Sequence, residues 1–265
     1  FLDCYRLDGT RLWRMDLGPN IRSGAHYLPF MVYDFDGDGK AEVMCRTAPG
    51  ALDGLGSYVG GTAKWQNANG PRPSFSDTDD YRFSHPGGVT NGMVLAGPEF
   101  LTVFNGLTGE EMATAPYFPR RDPDNNNDNP TTSRIDAVWG DDYGNRIDRF
   151  LAGVAYCDGV RPSAIFCRGY YTRAYLASWD WRSGALSLRW TFASDPANTS
   201  YRGQGAHSLT IGDVDGDGKD EITYGACAID DNGTGLYSTG LGHGDALHMS
   251  DMDPARPGLE VWMVH

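Results

Sequence analysis

The chain has 265 residues, enough to bury a sizeable core as one large domain or two smaller ones. Its 35 Gly, 15 Pro, 14 Tyr and 7 Trp are an inventory of strands and turns rather than of helices. A formal net charge of -13 argues against nucleic acid or an anionic membrane surface as a partner, and no apolar run approaches the ~18 to 20 residues of a membrane span.

In chain order, Tyr5-Arg-Leu-Asp-Gly-Thr-Arg-Leu-Trp13 reads as an aromatic strand, a polar Gly turn and a returning strand. The same hairpin signature recurs from Phe104 to Glu110 and from Trp179 to Leu186. Residues 30 to 42, Phe-Met-Val-Tyr-Asp-Phe-Asp-Gly-Asp-Gly-Lys-Ala-Glu, set a D-x-D-x-D-G loop between two apolar strands. Residues 48 to 98 and 115 to 133 are rich in Gly, Pro, Asn and Asp and lack periodicity. Loops that long within a compact domain are functional or disordered, and these are expected to hang from one face. A degenerate copy of the acidic loop spans Trp139 to Asp148. The full unit returns at residues 209 to 221, Leu-Thr-Ile-Gly-Asp-Val-Asp-Gly-Asp-Gly-Lys-Asp-Glu, and a second degenerate copy spans Ser250 to Glu260. Acidic loop, strand and hairpin in recurring order predict an all-β chain built of β-propeller blades. The chain opens on Phe1 and closes on a strand-like run, Leu259 to His265, without a returning partner. Both ends are therefore expected to be cuts within a longer protein.

In the loop spacing 1, 3, 5, 7, 9, hard oxygen ligands converge on one ion while Gly at position 6 allows the sharp turn. Asp34, Asp36, Asp38, the carbonyl of Lys40 and Glu42 fit this pattern, as do Asp213, Asp215, Asp217, the carbonyl of Lys219 and Glu221. So many carboxylates packed closely would repel one another without a cation, which predicts several bound calcium ions. The closing acid stands at position 9 and strands flank the loop, so neither is an EF-hand. The degenerate copies offer Asp141, Asn145 and Asp148, and Asp251, Asp253 and Glu260. Calcium near millimolar, as found outside cells, keeps such weak sites filled and favours a secreted or periplasmic setting. A calcium loop between two strands most often staples a hairpin and does no chemistry, so these loops point to architecture rather than to an enzyme. The five cysteines, Cys4, Cys45, Cys157, Cys167 and Cys227, show no metal spacing and read as buried free thiols, with one disulfide left open.

His207 and His243 each precede a strand that leads into an acidic loop, and His26 is the repeat equivalent of His243. His85 and His265 have no supporting context, and His248 could pack or bind metal beside Asp245. Arg168, Tyr170 and Arg173 stand together in Cys-Arg-Gly-Tyr-Tyr-Thr-Arg, where strand packing is one account of the two tyrosines.

The stretches Asn20-Ile-Arg-Ser-Gly-Ala-His26, Val32 to Val43, Gly97-Pro-Glu-Phe-Leu-Thr-Val-Phe104, Asn145-Arg-Ile-Asp-Arg-Phe-Leu-Ala-Gly153, Arg168-Gly-Tyr-Tyr171, Gly203-Gln-Gly-Ala-His207 and Tyr237-Ser-Thr-Gly-Leu-Gly-His-Gly-Asp-Ala-Leu-His248 together resemble family 11 rhamnogalacturonan lyases, collinearly over residues 1 to 265. The resemblance implies an eight-bladed propeller with many calcium ions, a deep cleft on one face, and β-elimination of the rhamnose-galacturonate backbone of pectin (rhamnogalacturonan I). It implies catalytic roles for His207 and His243, which match histidines of the family's cleft, with His26, Arg168, Tyr170 and Arg173 as substrate contacts. It also implies further blades and cleft Arg and Lys residues beyond His265. The competing reading is a non-catalytic calcium propeller of the integrin type that binds glycan or protein.

Overall fold

The computed structural model describes residues 1–83 and 92–265. His85 and the rest of residues 84–91, part of the first long irregular stretch, lie outside the described residues.

The chain is all-β and antiparallel, built from successive hairpins. Strands β1 (Leu2–Tyr5) and β2 (Arg11–Met15) form a two-stranded sheet. Strands β3 (Phe30–Tyr33) and β4 (Glu42–Thr47) begin the next sheet; the short pair β5 (Arg82–Phe83) and β6 (Met93–Val94) follows before β7 (Phe100–Asn105) and β8 (Glu111–Pro116) complete it in the order β3-β4-β7-β8. Strands β9 (Phe150–Ala155), β10 (Ser163–Arg168), β11 (Tyr175–Arg182) and β12 (Ala185–Ala193) form a second four-stranded meander. Strands β13 (Thr210–Gly212), β14 (Glu221–Thr223), β15 (Cys227–Ile229) and β16 (Gly235–Ser238) form a third, and β17 (Leu247–Ser250) pairs with β18 (Glu260–Met263).

All three sequence-predicted hairpins are present as β1–β2, β7–β8 and β11–β12. Their turns carry their own instructions, since Gly9, Gly109 and Gly184 take positive φ at no steric cost. Among the described residues there is one α-helix, α1 (Thr132–Trp139), started by Thr131, whose hydroxyl accepts from the Arg134 N–H, and stopped by Gly140 in the left-handed region.

The sheets bury their faces against one another in sequence order. Trp13, Met15, Val43, Cys45 and Phe104 fill the space between the β1–β2 sheet and its neighbour. Met44, Leu101, Val103, Phe166, Trp179 and Trp181 fill the next layer, and Ile165, Cys167, Leu176, Ile222, Cys227 and Ile229 the one after. Strands β4 and β10, covered on both sides, are buried at every residue; their middles, residues 43–45 and 164–167, are unbroken apolar runs, and the charged residues at their ends are buried with partners. The first strands, β3, β9, β13 and β17, touch one another in succession, while β8 touches β12 farther out. All five cysteines are free thiols.

The irregular residues 48–82 do not simply hang from a face. Ala51, Asp53 and Val59 are buried, Trp65 bridges to Thr114 of β8, and Gln66 ties the first meander to the β11–β12 turn by bonds to Gly184 and Leu186. Between the first and second meanders lies a buried ion cluster. Arg46 of β4, Arg168 of β10 and Arg121 converge on Glu99, with N···O distances of 2.6, 2.6 and 3.2 Å. Burial alone would push the Glu99 carboxyl up, but the three guanidinium groups override it and hold it near 2, below its ordinary 4.5.

Candidate functional site

The two full acidic loops occupy the same place in their sheets, as the β3–β4 and β13–β14 connections, and fold alike. Asp34 accepts from the N–H groups of Gly37 and Gly39 at 2.7 and 2.9 Å, and Asp213 from those of Gly216 and Gly218 at 2.7 and 3.0 Å. Glu42 reaches back to the Phe35 N–H, and Glu221 to that of Val214. Carboxylate oxygens of Asp34, Asp36 and Glu42 lie within 4.8 Å of one another, as do those of Asp213, Asp215 and Glu221. Each set brings together hard oxygens that could hold a divalent cation. Burial, reinforced by the neighbouring aspartates, pushes Glu42 and Glu221 up to about 7. Asp38 and Asp217 accept from the N–H groups of Lys40 and Lys219 and are not among the carboxylates converged within 4.8 Å.

The opposite ends of the same first strands carry a different chemistry. His26 lies in the loop before β3, Arg149 immediately before β9, His207 before β13 and His243 before β17; Tyr170 and Tyr171 follow β10. These loops share one end of the sheets, whereas the acidic loops leave from the other, separated by the length of a strand at about 3.3 Å per residue. The ring centroids of His207 and His243 lie 5.0 Å apart and those of His26 and His207 5.3 Å. Tyr170 stacks on His243 at 5.6 Å with its hydroxyl 3.3 Å from His26 Nδ1, and the Tyr171 hydroxyl lies 3.1 Å from His207 Nε2.

The backbone fixes these positions. The His207 N–H donates to the Asp245 carbonyl, and Ala206 bridges to Gly244. Gly205 lets the chain pass so close to Tyr170 that a Cβ there would sit 2.4 Å from the tyrosine's own. His243 Nδ1 lies 2.7 Å from the Gly205 carbonyl. A carbonyl only accepts, so Nδ1 carries a proton, and in the neutral ring the lone pair that could act as a base or a ligand is on Nε2. Burial and then the neighbouring His243 lower the pKa of His207, against the pull of Asp245, which keeps its imidazole neutral near pH 7. His207, His243 and Asp245 bring ligand atoms within 4.8 Å of one another and form a second kind of set able to hold a divalent cation.

The family profile described as "Rhamnogalacturonan lyase family 11, C-terminal domain" matches residues 1–265. The chain belongs to this rhamnogalacturonan lyase family. It is 52% identical over 265 residues to the rhamnogalacturonan exolyase YesX of Bacillus subtilis (strain 168) and 54% identical to the rhamnogalacturonan endolyase YesW of the same organism. Both alignments cover 100% of this chain but 38% and 37% of those relatives, so the chain spans under two-fifths of their length. The solved structure of the Bacillus licheniformis rhamnogalacturonan lyase PL11 superposes with a TM-score of 0.85 at 53% identity, covering 99% of this chain and 40% of that one.

Within this family segment, several sequence-predicted residues sit away from the histidines. Arg168 is fully buried with its guanidinium on Glu99, so it faces the core rather than a substrate. Arg173 is buried against Asp124 and the Asp195 carbonyl. Asp141 caps the Gly144, Asn145 and Arg146 N–H groups, and Asp148 lies in the core beside the arginine cluster, where burial raises its pKa. Asp141, Asn145 and Asp148 lie between α1 and β9 rather than in a hairpin loop; Asp141 accepts from the N–H groups three, four and five residues on, as Asp34 does, but no converged carboxylate set forms there among the described residues. In the β17–β18 turn, Glu260 reaches the Met252 and Asp253 N–H groups as Glu42 reaches Phe35. Its oxygens do not join those of Asp251 and Asp253 in a converged set among the described residues. Tyr171, Arg149, Tyr27 and Asp245 were not singled out from the sequence as members of the histidine site. Each stands within two residues of a motif that was, and only the folding of separate loops onto one another brings them together.

Proposed function

We propose that the chain forms part of the catalytic β-propeller of a secreted, calcium-loaded lyase that cleaves the rhamnose-galacturonate backbone of rhamnogalacturonan I by β-elimination. The sequential stack of four-stranded meanders, with first strands neighbouring one another and later strands farther out, supports propeller blades. The additional length of the relatives accommodates the remaining blades. The twin loops at Asp34 and Asp213 are calcium staples on the face remote from the chemistry.

The observation that carries the lyase reading is the convergence of His26, His207 and His243 from three loops onto one half-exposed patch. β-Elimination removes the proton at C5 of galacturonate, beside a carboxylate onto which the charge spreads, while the glycosidic C4–O bond breaks. The step requires a base at C5 and a cation at the carboxylate. A neutral His207 and a His243 whose bare Nε2 is fixed by Gly205 meet the first need.

In the full-length enzyme, His207→Ala and His243→Ala are each expected to lower kcat by about 10²-fold or more, the usual scale for a lost acid-base group. Circular dichroism and melting temperature in calcium should stay those of the parent. Undiminished turnover in both variants would remove these histidines from the mechanism.

A further inference from the structure

We infer that Arg149 holds the galacturonate carboxylate beside the histidines; the inference rests on the lyase reading above and assigns the carboxylate-binding role to a residue of this chain. Arg149 ends the loop that enters β9, and its backbone is tied on both sides of the site. Its carbonyl accepts from the Gly169 N–H, and the next residue, Phe150, donates to the carbonyl of His26. The guanidinium lies 5.4 Å from the Tyr27 ring centroid and 5.7 Å from that of Tyr171, the tyrosine bonded to His207. Its positive charge reaches both His207 and Tyr170.

What sets Arg149 apart is its partners. Arg46, Arg121 and Arg168 are committed to Glu99 and Arg173 to Asp124, while Arg22, which stacks on the same Tyr27 ring at 3.5 Å, has Asp148 at 3.8 Å. Arg149 has no carboxylate within 4.0 Å among the described residues. It donates only to neutral oxygens, Nη1 to the Tyr27 hydroxyl at 3.4 Å and Nη2 to the Asn145 side chain, and its buried Nε has no partner among the described residues. A half-buried guanidinium without a counter-ion, held between aromatic rings, is a preorganised receptor for a planar carboxylate. The substrate of the proposed reaction carries such a group on every second sugar, next to the C–H bond the base must reach. The tyrosines give the guanidinium its orientation and leave it short of charge compensation, which a uronate supplies.

The test uses the full-length protein in calcium and two probes that lack the leaving group: the disaccharide with galacturonate at its non-reducing end, whose O4 carries no sugar, joined to rhamnose, and its counterpart with the carboxyl reduced to an alcohol. Isothermal calorimetry of the parent is expected to show tighter binding of the acidic disaccharide. Arg149→Gln is expected to lose about tenfold to a hundredfold in affinity for the acidic probe, the scale of a charge-assisted hydrogen bond, with affinity for the reduced probe unchanged. Arg149→Lys should recover part of the loss, because it restores the charge without the fork. Equal affinity of the parent for both probes, an unchanged Arg149→Gln profile, or an equal loss for both probes would each overturn the assignment. The first of these needs no variant and stands even where substitution disturbs folding. Turnover of rhamnogalacturonan I by the parent is read separately, so a protein that binds the acid through Arg149 without cleaving it would refute the lyase reading alone.

Discussion

Chelation of calcium is expected to lower the melting temperature by more than about 10 °C. A ligand held at ~1,000 times its dissociation constant stabilises the folded state by about 4 kcal/mol per site, and two like sites together reach about 8 kcal/mol. That is comparable with the whole stability of many domains, roughly 5–15 kcal/mol. The structural reason is the packing of Asp34, Asp36 and Glu42, and of Asp213, Asp215 and Glu221, into sets no wider than 4.8 Å around buried closing glutamates. Without a cation these carboxylates face one another, and Glu42 and Glu221 are pushed to about 7. Scanning calorimetry in excess EGTA and in excess calcium measures the difference. Asp34→Ala should reproduce part of it, and an unchanged melting temperature would contradict the calcium assignment.

Glu99→Ala is expected to cost about 3–5 kcal/mol, the penalty for stripping a buried charge of its partner, or roughly 6–20 °C in melting temperature for a chain of this size. The substitution would leave Arg46, Arg121 and Arg168 facing one another with 3%, 0% and 0% of their surface exposed. The same cluster sets an acid limit. Glu99 is held near 2 in the folded protein against an ordinary 4.5, so its contribution is fully present above pH 4.5 and is lost as the pH falls from there through 2. Calorimetry of Glu99→Ala against pH checks both statements. The variant should be less stable than the parent at neutral pH, and the gap should narrow below pH 4.5. A melting temperature within a degree of the parent at neutral pH would refute the role of the cluster.

What the sequence made legible was local. Gly-containing turns named the three hairpins, and the D-x-D-x-D-G spacing marked the two acidic loops, because each signal is confined to residues that touch one another. The first two aspartates of each loop converge with the closing glutamate while the third accepts from the Lys40 or Lys219 N–H, a division of labour the pattern itself does not show. The arginines depend on distant partners. Arg168 at a strand end reads as exposed, and its partner Glu99 stands 69 residues earlier in the chain, where no local pattern links them. The segment from Asp141 to Asp148 repeats the composition of the acidic unit but not its strands, and its last aspartate is drawn into the core by the same arginines. The histidine positions were legible through their recurrence before first strands, whereas Arg149 and Tyr171 joined them only through the docking of neighbouring sheets.

Lyase action by the protein that carries this segment has a spectroscopic signature. The direct measurement is the ultraviolet absorbance of unsaturated uronate ends during incubation of rhamnogalacturonan I with the full-length, calcium-loaded protein, in parallel with its His207→Ala and His243→Ala variants. A steady rise is expected with the parent, reduced about 10²-fold or more in both variants. A folded, calcium-loaded parent that leaves the absorbance unchanged would contradict it.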